Sequence, residues 1–117
     1  MSASSKGGLL RRGYIYFAHL DKLRPVLVLS PDVRNELASD LIAIPCSTHR
    51  SIAPTHVHLR RGEGGLTEAS VLKCEQITTL YKGDVRRQSL GSALSPTRLY
   101  EVERAVLRAI GVPVPLE

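Results

Sequence analysis

Apolar residues come in short clusters along the chain, each bounded by turn-forming residues. Tyr14-Ile15-Tyr16-Phe17-Ala18 follows Gly13 and is rich in strand formers. Val26-Leu27-Val28-Leu29 is a continuous apolar run between Pro25 and the turn signal Ser30-Pro31-Asp32. Such a run predicts a strand buried on both faces. Leu41-Ile42-Ala43-Ile44 predicts a third strand, stopped by Pro45. Thr55-His56-Val57-His58-Leu59 alternates with period two, which puts His56 and His58 on one face. Arg61-Gly62-Glu63-Gly64-Gly65 reads as a loop, and Ala69 to Leu80 as one long, bent strand carrying Glu75 and Gln76.

The pattern changes near the C-terminus. Ser95 is a good N-cap with Pro96 behind it at the first helical position. Leu99, Val102, Val106 and Ile110 then recur at helical spacing, and Gly111 and Pro113 end the helix. A second, short helix is expected around Val33 to Ala38. Short strands closed by one helix predict a mainly β, mostly antiparallel barrel with a C-terminal helix.

The chain has 117 residues, which suits one domain. Residues 1–10 are small, polar and glycine-rich at first and read as a disordered leader, leaving 11–117 as a single β-barrel domain. No run of 18 apolar residues or signal-peptide pattern is present, so no membrane span and a cytoplasmic location are expected. Two cysteines, Cys46 and Cys74, exclude a disulfide framework and a four-cysteine zinc site. Buried free thiols are expected. Sixteen basic against 11 acidic residues give a net charge of +5, spread along the chain. That field favours a polyanionic partner.

Several residues carry candidate chemistry. Arg24 stands before Pro25 at the mouth of the buried strand, where a guanidinium can bind phosphate or stabilise developing charge. Its bland alternatives are a solvated arginine or one held by a carboxylate. Cys46-Ser47-Thr48-His49-Arg50 follows the third strand and offers two hydroxyls as phosphate donors, with a further charge at Arg50. His56 and His58 form half of a metal site, needing Cys46, Cys74 or His49 as a third ligand. His19 and His49 are candidates for an acid–base pair. Glu75 and Gln76 can read base edges, and Tyr16, Phe17 and Tyr81 can stack on bases.

The order of these elements is more specific than any one of them. Arg12-Gly13-Tyr14-Ile15-Tyr16, Arg24-Pro25-Val26-Leu27-Val28-Leu29-Ser30, Ile44-Pro45-Cys46-Ser47-Thr48, Pro54-Thr55-His56-Val57, Gly65-Leu66 and Glu75-Gln76-Ile77 follow in turn. With Leu90-Gly91 and the closing helix, this sequence resembles the MazF/PemK toxin family from about Leu10 to Val112. The resemblance implies an SH3-like barrel of the MazF/PemK/CcdB type, acting as a homodimer in a type II toxin–antitoxin system. It implies an endoribonuclease that needs no metal and no cofactor and cuts single-stranded RNA, mainly mRNA. The ribose 2′-hydroxyl would attack the adjacent phosphate, leaving 2′,3′-cyclic phosphate and 5′-hydroxyl ends.

In that reading Arg24 assists proton transfer or stabilises the phosphorane. The family's catalytic threonine falls on Ser47, with Thr48 as the neighbouring donor. Lys22, His49, Arg50, Glu75 and Gln76 are the expected RNA contacts. The cognate antitoxin would be an acidic, partly disordered segment folding across the basic groove. The segment between the first two strands is shorter than the family's usual glycine- and serine-bearing loop, and Thr78 stands where many members carry arginine. Two alternatives stay open on the same barrel: a CcdB-like gyrase poison and a non-catalytic RNA-binding module.

Overall fold

A computed structural model describes residues 8–115. Seven strands and two α-helices follow in the order β1 (Ile15–His19), β2 (Leu23–Val28), α1 (Asp32–Leu37), β3 (Asp40–Ser47), β4 (His56–Leu59), β5 (Ser70–Lys73), β6 (Thr78–Tyr81), β7 (Val85–Ser89) and α2 (Pro96–Ala109). The strands run β4-β5-β3-β2-β1-β7, with β6 also paired to β3, and the pairings are antiparallel. No helix among the described residues is long and apolar enough to cross a membrane.

Strand alternation sends successive residues to two cores. Ile15, Leu27, Ile44, Leu59 and Leu72 pack with Val102 and Ala105 of α2. Tyr16, Val26, Val28, Leu41 and Val85 form the second cluster. β2 is therefore buried on both faces, as its unbroken apolar run predicts. Leu10, which the sequence assigns to the leader, belongs to the second core at 3% exposure. The Tyr16 hydroxyl anchors this stretch by accepting from the Arg11 amide and donating to the Leu9 carbonyl. The rest of the expected leader, residues 1–7, lies outside the described residues.

β3 runs through Pro45 rather than stopping there. It pairs with β6 over Asp40–Ala43 and with β5 at Cys46 and Ser47, so Pro45 falls in the gap between the two ladders. Its missing N–H costs no ladder bond at that point. The long strand expected from Ala69 to Leu80 is instead β5 and β6, separated by a 3-10 turn at Cys74–Gln76. Glu75 and Gln76 consequently stand on a turn.

Ser95 caps α2 by accepting from the Arg98 amide, and Gly111 ends it at φ 89°. Ala105 completes the buried face, whereas Ile110 is 66% exposed. Two ion pairs hold the helix to the rest of the domain: Glu103 to Arg12, just before β1, at 2.6 Å, and Arg98 to Glu63, in the turn after β4, at 2.8 Å. The loop after β4 meets the end of β7 at a glycine contact. A Cβ on Gly65 would lie 2.3 Å from the Leu90 carbonyl, and one on Gly91 would lie 2.7 Å from the Gly65 Cα.

Candidate active site

Val26 of β2 pairs with Pro45 of β3 at the last rung of that ladder, and Arg24 and Ser47 lie two residues beyond it on their two strands. Both line a cleft of about 330 Å³ whose other walls are Asp21 and Leu20 of the β1–β2 turn, Lys73 at the end of β5 and Gln76 of the 3-10 turn. Three separate chain segments thus converge because β3 exchanges partners at Pro45 and lies between β2 and β5 at this end.

Arg24 is held by Asp21. Its Nε donates to Oδ1 at 2.7 Å and its Nη2 donates to Oδ2 at 2.9 Å. These bonds raise the guanidinium pKa and hold the Asp21 carboxyl well below the usual carboxylate range. Arg24 is therefore a permanent cation near neutral pH, suited to stabilise charge rather than to remove a proton. The Ser47 hydroxyl oxygen accepts from the His49 amide at 3.0 Å. Its own proton remains available to donate to a ligand in the cleft.

Thr48 is placed differently. It lines a separate cleft of about 550 Å³ with Phe17, Pro25, Leu66, Arg86 and Leu90. Of the two candidate hydroxyls, Ser47 is the one that shares a cleft with Arg24.

The expected RNA contacts divide. Gln76 lines the Arg24 cleft and Lys22 stands exposed on the turn beside it, while Glu75 is engaged elsewhere. Its carboxylate accepts from Thr55 Oγ1 at 2.8 Å and meets His56 Nε2 at 3.1 Å. Partial burial opposes its ionisation, but these bonds outweigh burial and leave its pKa lowered. Arg50 turns to His58, with Nη2 3.3 Å from Nδ1. His49 is exposed, and neither it nor His19 lines the Arg24 cleft.

His56 and His58 do share a face of β4, yet no group of three His, Cys, Asp or Glu among the described residues is placed to hold a metal. Cys46 and Cys74 are both buried, and burial pushes each thiol up to about 12. Lys73 and Asp21 are the cleft residues that the sequence did not single out. Asp21 had a usable signal, since a carboxylate three residues before Arg24 across a tight turn is placed to reach it. Lys73 is brought in by the β3–β5 ladder, which sequence spacing does not reveal.

Residues 11–110 match the model of the PemK-like, MazF-like toxin of type II toxin–antitoxin systems. A curated relative, endoribonuclease MazF of Staphylococcus saprophyticus, is 29% identical over 114 residues, covering 89% of this chain and 93% of its own. Among solved structures, a mycobacterial endoribonuclease in complex with its cognate antitoxin superposes with a TM-score of 0.79 at 27% identity, covering 91% of this chain and 99% of that one. Mycobacterium tuberculosis toxin MazF-mt6 gives 0.78 at 26% identity, with 86% and 99% covered. The antiparallel sheet with its C-terminal helix is the barrel-like fold of these toxins. The chain belongs to the PemK-like, MazF-like toxin family of type II toxin–antitoxin systems.

Proposed function

We propose that this chain is a sequence-specific endoribonuclease toxin that cuts single-stranded RNA by transesterification at the cleft between Arg24 and Ser47. The observation that carries the proposal is that a permanently charged guanidinium and a hydroxyl line one cleft just beyond the end of the β2–β3 ladder, with Lys73 and Gln76 on the same walls. In the reaction the ribose 2′-oxygen bonds to the neighbouring phosphorus and the bond to the 5′-oxygen breaks. One proton leaves the 2′-oxygen and one arrives at the 5′-oxygen, so neither water nor a metal enters the balance. Charge builds on the non-bridging oxygens, where Arg24 and the Ser47 hydroxyl act as donors.

The neighbouring cleft is lined by the apolar Phe17, Leu66 and Leu90 together with the polar Thr48 and Arg86. It suits a nucleobase next to the scissile phosphate. The toxin works as a cytoplasmic homodimer held in check by a cognate antitoxin, an acidic and partly disordered segment that covers the same basic groove. Saturating antitoxin is expected to suppress cleavage, and undiminished cutting would count against that arrangement.

The test is the chemistry of the ends. RNA incubated with the purified protein in EDTA should yield 5′-hydroxyl ends that accept phosphate from a polynucleotide kinase without prior dephosphorylation. Ends carrying a 5′-phosphate would overturn the transesterification.

A further inference from the structure

The Asp21–Arg24 pair is unusual for its place. Both groups face solvent, with side-chain exposures of 68% and 34%, and an exposed ion pair contributes little to folding. Yet the contact is bidentate and uses one specific edge of the guanidinium, Nε and Nη2. The turn that makes it possible is itself closed by the Leu20 amide donating to the Lys22 carbonyl at 3.0 Å.

A guanidinium has five N–H donors. Asp21 takes two, one from Nε and one from Nη2. Three remain, two on Nη1 and one on Nη2, and one from each of these nitrogens points outward along the adjacent, end-on edge of the fork. That edge still offers the parallel pair of donors a phosphate accepts. A free arginine on a strand end would sample many rotamers, and ordering it would cost entropy during the reaction. With one edge tied to Asp21, the ordering is done before RNA arrives.

We propose that Asp21 is a positioning residue, which fixes the Arg24 guanidinium so that its free edge meets the scissile phosphate opposite Ser47. This rests on the endoribonuclease reading above. Asp21 touches neither the phosphate nor the reacting oxygens and acts only through Arg24. The contrary role, in which Asp21 blocks Arg24 and must be displaced by RNA, predicts the opposite sign for its removal.

The experiment uses a short RNA containing a mapped cut site, in EDTA, with kcat and KM measured separately. Asp21→Ala should lower kcat at least about tenfold. KM should stay within about threefold of wild type and the melting temperature should not move. Asp21→Asn keeps one acceptor oxygen and should fall between wild type and alanine. On an Arg24→Ala background, Asp21→Ala should have no further effect on residual cleavage. An unchanged or raised kcat in Asp21→Ala, or a loss that persists without Arg24, overturns the positioning role. If Arg24→Ala alone cuts at the wild-type rate, the endoribonuclease site itself is misassigned. If Arg24→Ala is inactive while Asp21→Ala is normal, only the positioning role fails.

Discussion

Gly65 provides a stability test in which the size of the effect follows from geometry. Its φ is +88°, and a Cβ there would sit 2.3 Å from both the carbonyl carbon and oxygen of Leu90 and 2.6 Å from the Gly91 nitrogen. Alanine in the left-handed region costs about 1–2 kcal/mol. Ordinary non-bonded contacts need about 3.5 Å, so the two backbones must separate by more than an ångström. Forcing such a shift adds about 1–3 kcal/mol. Alanine also restricts the unfolded chain, which returns about 0.4–1 kcal/mol. The net expectation for Gly65→Ala is a loss of about 2–4 kcal/mol, a large part of a small domain's stability. Gly62 is the matched control, because it has φ +95° and nothing within 4 Å of its added Cβ. Gly62→Ala should lose only about 1 kcal/mol, the backbone part alone. Urea unfolding of both variants, at unchanged m-value, measures the difference. Equal losses would refute the close approach of the β4–β5 loop to the end of β7.

Ser47→Ala should lower RNA cleavage about 10²-fold, as loss of one donor to developing charge typically does, whereas Thr48→Ala should change which sequences are cut more than how fast. Steady-state cleavage of one mapped site separates the two, and the reverse ranking would move the donor to Thr48. Arg98 bonding lowers the pKa of Glu63, so this carboxylate stabilises the fold above its ordinary pKa and the benefit fades as pH falls toward the depressed value. Glu63→Gln should therefore be less stable than wild type at pH 7 and approach it below about pH 4, read as thermal midpoints against pH. Cys46 and Cys74, with thiols at about 12, should react with a thiol reagent only in denaturant, and fast labelling of the native protein would contradict their burial.

The residues easiest to find in the sequence were those whose role is local. Arg24 before Pro25, the double-sided strand that follows, and the Ser95-Pro96 start of α2 are each written into a few adjacent residues. What the sequence concealed depends on partners from elsewhere in the chain. Pro45 looks like a strand stop, and only the change of partner from β6 to β5 explains why β3 passes through it. β7 carries Arg86, Arg87 and Gln88 exposed on an edge strand, so it has no apolar alternation to betray it. Glu75 and Gln76 are neighbours in sequence, yet the 3-10 turn sends Glu75 to Thr55 and His56 and leaves Gln76 at the Arg24 cleft. Lys73 reaches that cleft only through the β3–β5 ladder, a long-range pairing that no spacing rule encodes.

The most direct test of the assigned activity is to incubate the purified protein with a long mixed-sequence RNA in EDTA and map every cut, beside the Arg24→Ala variant. Discrete cuts by the wild-type protein that a folded Arg24→Ala variant makes at least about 10²-fold more slowly, leaving only residual cleavage, are the predicted result. No cuts by the wild-type protein, or an unchanged pattern in the variant, would contradict the assignment of this cleft.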